Sequence, residues 1–209
     1  MPPTRGVYLA WAMQGLILLE GIIGLSLRDP SITISAFTGF FLTCIPYFIG
    51  RRIQVILPWE VNLLIAIAVF LHGVGYSQNL YISLYPYYDK FTHLVSSITV
   101  AVLAFVSILV INRFSCTKLA RWQIFFSIVI FTMAIGAFWE IYEYLMDTFF
   151  GAYLTKPLQH GLDDTMLDLI IDLIGGVIVA LFGTWYIQKR TLDELTNPMV
   201  GEFQEECEI

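Results

Sequence analysis

The chain has 209 residues, of which 57% are apolar and only 13% charged, with a formal net charge of −6. The charged share is about half that of a soluble globular domain, so the composition points to lipid as the solvent. Lys and Arg are too few and scattered to build a phosphate-neutralising surface, which excludes nucleic acid as a partner, and Cys44, Cys116 and Cys207 have neither zinc-type nor disulfide-framework spacing.

The apolar residues fall into six runs, 7–27, 32–49, 59–76, 91–111, 122–144 and 166–187. Each has roughly 18 to 22 residues, enough as a helix to cross a ~30 Å hydrocarbon core. The pattern predicts an all-α, polytopic transmembrane bundle of six helices over residues 1–190. An acidic tail, 191–209, has the composition of a disordered segment. The first run lacks the short core and cleavage site of a removable signal peptide and reads as a retained helix. It carries Glu20 beside Gly21, either as part of a polar site or as a protonated interhelical hydrogen bond.

In the third run, His72 reads as a packing histidine. Tyr76, Tyr81, Tyr85, Tyr87 and Tyr88 follow around Pro86, as in an aromatic belt at headgroup depth. The fourth run is preceded by Asp89 and Lys90 and opens near His93; Asp89 and His93 are four apart and share a helical face. The fifth carries Glu140, Glu143 and Asp147 on one stripe. An ionised carboxylate at helix-centre depth costs roughly 2.5 to 3.5 kcal/mol, less near the interface, so such acids face a partner, a cavity or an ion. The sixth steps through Asp164, Asp168 and Asp172 toward Gly176 and Ala180. Those small residues admit a neighbouring helix, which turns the acidic stripe into the bundle.

Folding six spans puts eight Lys and Arg residues on the side of the termini and three, Arg28, Lys90 and Lys156, on the other. The bias of short loops predicts both termini in the cytoplasm of a cell-membrane protein. The acids then gather in the outer half of the bilayer, about ten carboxylates against three cations read as loop residues. Some must keep their protons or bind cations. A divalent ion would take His93 as nitrogen ligand and Glu140, Asp164 and Asp168 as oxygen ligands, in the manner of bundle-core carboxylate sites. Glu143 and Asp172 would move protons, and Asp89 and Glu20 would complete the polar surroundings.

With Asp89-Lys90-x-x-His93, Glu140-x-x-Glu143 and Asp164-Thr165-x-x-Asp168-x-x-x-Asp172-x-x-Gly175-Gly176 in this order, the last three helices resemble the YjdF-type membrane proteins and, more distantly, VanZ-like membrane proteins. The resemblance implies a multi-pass fold and marks these same positions. It implies no reaction.

Three functions are compatible with the pattern. One is a metal-dependent membrane hydrolase acting on an amphiphilic or lipid-linked substrate. Another is a proton- or cation-coupled transporter, although the inner half offers only Glu60 and a few neutral polar residues to continue a path. The last is a structural role, with protonated carboxylates holding the helices together. Membrane lipids are partners in all three.

Overall fold

The computed structural model describes residues 5–115, 118–154 and 157–200. Lys156, Cys116, Cys207 and the acids of the tail beyond residue 200 lie outside them. The described residues form α1 (Arg5–Leu27), α2 (Pro30–Ile53), α3 (Trp59–Ser77), a single turn α4 (Leu80–Ser83), α5 (Tyr87–Phe114), α6 (Arg121–Phe150), α7 (Leu162–Tyr186) and α8 (Leu192–Val200), with a 3₁₀ turn at Gly151–Tyr153. All regular structure among them is helical. Six of the helices, α1, α2, α3, α5, α6 and α7, are long and apolar enough to cross a membrane.

Several helix starts follow from local chemistry. Asp29 caps α2, its Oδ1 accepting the Ile32 N–H at 3.1 Å, and Pro30 stands at the first helical position, where no N–H is needed. Pro58 and Pro86 immediately precede α3 and α5. Consequently α5 begins at Tyr87, four residues before the apolar run at 91, and Asp89 and Lys90 belong to its first turn. Lys90 is therefore a helix residue, not a loop residue.

The helices pack as two groups of three. In one, α1, α2 and α3 touch one another; in the other, α5, α6 and α7 do; the α3–α5 seam joins them. Small and hydroxyl side chains such as Ala66, Ala101, Ala180, Thr92 and Thr132 are buried beside aliphatic ones such as Ile17 and Ile128. Many large apolar side chains, among them Phe48, Phe138 and Phe182, face outward, as expected where lipid is as apolar as the core.

The stretch 192–200 is helical, which corrects the expectation of disorder for that part of 191–209. Its Met199 and Val200 pack with Val55, Val61, Ile65, Val106 and Val110 beneath the bundle. The Met199 carbonyl accepts the Ile56 N–H at 2.8 Å, and Asp193 pairs with Arg113. The acidic residues of α8 masked its two apolar anchors.

Candidate functional site

The bundle end opposite the termini holds the acids. There α5 contributes Asp89, Lys90 and His93, α6 contributes Glu140, and α7 contributes Asp164, Asp168 and Asp172. All are buried except the partly buried Lys90. Glycines permit the close approach. Gly175 lies against the Ser97 side chain, and a Cβ at Gly136 would strike the Asp172 carboxylate. These helices can therefore bring five acids and a histidine together at one end of the bundle.

Lys90 organises the upper layer. Its Nζ lies 2.9 Å from Asp89 Oδ2, 2.6 Å from Asp164 Oδ1 and 2.8 Å from both oxygens of Asp168. Three of the acids thus have a cationic partner, which corrects the reading that the cations all lie in loops. Asp164 also faces His160 Nδ1 at 3.5 Å and accepts the Tyr85 hydroxyl at 3.4 Å, closing the mouth with two rings whose centroids are 4.8 Å apart.

One turn deeper, His93 is enclosed by carboxylates on both nitrogens. Its Nε2 is 3.9 Å from Asp89 Oδ1, 3.7 Å from Glu140 Oε1 and 3.7 Å from Asp168 Oδ1; Nδ1 is 3.5 Å from Asp172 Oδ1. The three Nε2 distances are too long for hydrogen bonds. Glu140 is 6% exposed, its Oε2 accepts from Gln159 Nε2 at 3.2 Å, and its Oε1 has no hydrogen-bond partner among the described residues. A buried carboxylate oxygen left so is costly unless something cationic meets it. Ligand atoms of Asp89, His93 and Asp168 lie within 4.8 Å of one another, a spacing compatible with one shared ion.

Other expected residues fall elsewhere. Glu20 does not reach the cluster: among the described residues α1 packs on α2 and α3 alone, and Glu20 Oε1 accepts from Ser77 Oγ at 2.5 Å. Glu143 accepts from Trp139 Nε1 at 2.9 Å and lines an adjoining cavity with His72, Tyr81 and Asp89. Asp147 holds the α6–α7 loop by accepting the Leu158 and Gln159 backbone N–H groups, and Asp163 is exposed. Both nitrogens of His72 are in use, Nδ1 with the Tyr81 hydroxyl at 2.6 Å and Nε2 with Ser96 Oγ at 3.1 Å, as a packing histidine requires. Burial pushes the Tyr81 hydroxyl well above its usual pKa, keeping it a neutral partner.

Gln159 and His160 were not singled out from the sequence, and Tyr85 only as a member of the aromatic belt. They belong to connecting segments, and only the folded loops bring them over the acids. Tyr81 and Tyr88 turn inward, whereas Tyr85 and Tyr87 are exposed, at 45% and 79%.

The chain is 32% identical over 135 residues to an "Uncharacterized protein" of Thermotoga maritima, an alignment covering 62% of this chain and 65% of that relative, just under two thirds of its length. No solved structure matches it. The family model described as "Predicted membrane protein (DUF2238)" matches residues 8–189, nearly the whole of the six-helix region. With its six apolar helices of membrane-spanning length, the chain belongs to this family of multi-pass membrane proteins.

Proposed function

We propose that the protein binds one divalent cation between α5, α6 and α7 and uses it to act on an amphiphilic or lipid-linked substrate, as a membrane hydrolase would. The observation that carries this reading is the Glu140 Oε1 atom, buried and without a hydrogen-bond partner among the described residues, facing His93 Nε2 at 3.7 Å. Oxygens around one nitrogen at that separation suit an ion about 2.2 Å from each ligand. His93, Asp89 and Asp168, whose ligand atoms lie within 4.8 Å of one another, would hold it, with Glu140 facing His93 from α6. Asp164 lies outside the converging group of Asp89, His93 and Asp168 and pairs with Lys90 and His160, so it stands aside from the ligand set.

An imidazole beside carboxylates favours an ion of the zinc, manganese or ferrous type over magnesium or calcium. Asp172 behind Nδ1 would fix the ring and raise its basicity, as carboxylates behind metal-bound histidines do. The bound ion would polarise a water or a substrate oxygen. On the Lys/Arg distribution, the site faces away from the cytoplasm and both termini face it.

Elemental analysis of the purified full-length chain tests the reading. One ion per wild-type chain is expected, with none in His93→Ala and at least a tenfold weaker affinity in Glu140→Gln. A wild-type chain that takes up no zinc, manganese or iron defeats the proposal. The Lys90 cluster supports a second reading, in which the acids and Lys90 only tie α5 to α7. In that case Glu140→Gln leaves ion content unchanged at zero.

A further inference from the structure

A gap between the two helix groups bears on what the site acts upon. Helix α2 packs on α1 and α3, and α6 packs on α5, α7 and the 3₁₀ turn, but among the described residues the backbones of α2 and α6 nowhere approach one another. Between them lies a cavity of about 510 Å³, within the size range of small-molecule sites. Its wall is graded. Leu42, Leu103 and Ile135 line one part, while His93, Ser97 and Asp172 line another.

The apolar part is open on its outer side. Leu42 is 45% exposed, Ile135 39% and Phe138, also in the wall, 67%. On a membrane-spanning bundle these surfaces meet acyl chains and not water. A second cavity, about 320 Å³, shares Ser35, His72, Trp139 and Tyr142 with the first and continues to His160 at the loop end. The space therefore runs from lipid, past the acidic cluster, toward the headgroup region.

The geometry points to a substrate class: an amphiphile with one apolar chain, which enters sideways between α2 and α6, lays the chain along Leu42, Leu103 and Ile135, and brings its polar head to His93 and Asp172. The graded wall is the complement of such a molecule. Water is disfavoured in the apolar part because it finds few hydrogen-bond partners there, and the volume accommodates one chain. This inference rests on the cation reading for its chemistry, but the chain site has its own test.

A palmitate carrying a photoactivatable diazirine near its chain end is added to the full-length protein in phospholipid nanodiscs, and cross-links are mapped by mass spectrometry. Labelling at Leu42 and Ile135 should exceed that at the outward-facing Phe182 by about fivefold, and excess unlabelled palmitate should compete it away. Ile135→Trp, which fills the cleft, should reduce the label about tenfold while ion content stays at the wild-type level. Leu103→Phe approaches the same space from α5 and should act in the same direction, so the test does not depend on one variant folding. Even labelling of all lipid-facing positions, or a label indifferent to both substitutions, overturns the chain site. Ion analysis of the same samples separates the two readings: competed cleft labelling without an ion removes the metal and keeps the chain site, whereas an ion with even labelling does the reverse.

Discussion

Lys90 and Glu140 make opposite demands on the site. The Lys90 ammonium already satisfies Asp89, Asp164 and Asp168, and its side chain is only 16% exposed, so removing it strands three carboxylates in a poorly solvated place. Lys90→Met should lower stability by about 3 kcal/mol, the scale for breaking a buried ion pair, measured as the shift of thermal unfolding in detergent without added metal. The same substitution removes a cation competing for Asp168. Affinity for the proposed ion should rise about tenfold in an ion titration, since one opposite charge fewer stands within hydrogen-bond reach of a ligand. Glu140→Gln moves affinity the other way while leaving the Lys90 contacts intact. If Lys90→Met weakens ion binding along with stability, Lys90 is a scaffold for the ligands and not their competitor.

At the scale of elements, glycine and not propensity decides how close α5 and α7 come. A Cβ on Gly175 would lie 3.0 Å from Ser97 Cβ, closer still to its Oγ, and 3.3 Å from the Ile98 backbone nitrogen. Gly175→Ala should therefore separate the helices and cost about 1 to 3 kcal/mol, as overpacking does. Gly15→Ala in α1, where no other heavy atom stands within 4 Å of the added carbon, should be neutral or slightly stabilising by helix propensity. Equal unfolding shifts for the two would refute close packing at Gly175. The inward turn of α7 was legible in the sequence, since Asp164, Asp168, Asp172 and Gly176 share one face by their spacing, but the contact of Gly175 with Ser97 was not. The placement of Lys90 was less so, because hydropathy starts a span where charge ends. Pro86 was the signal that a helix begins at Tyr87. Glu20 misled because depth can be read from position along a span, whereas the neighbours of α1 depend on how the helices are arranged around the bundle.

For the whole molecule, two ends of different character follow from the packing. At one, α8 seats Met199 and Val200 beneath α3 and α5, Arg113 holds Asp193, and Lys118 donates to the Asn112 and Arg113 carbonyls at 3.3 and 3.2 Å. At the other, Gln159, His160 and Tyr85 cover the acids. The first end carries eight of the eleven Lys and Arg residues, and positive charge in short loops is retained in the cytoplasm. A cysteine placed at Gln78, beside the acidic end, should react with a membrane-impermeant maleimide added outside intact cells, in a background where Cys44, Cys116 and Cys207 are serine. One at Gln188 should react only after the membrane is permeabilised. The reverse pattern would put the acidic mouth in the cytoplasm. Sidedness then fixes how the proposed ion arrives: a mouth facing outward draws on extracytoplasmic metal, so an impermeant chelator outside the cell should strip it, and an inward mouth would leave it protected by the bilayer.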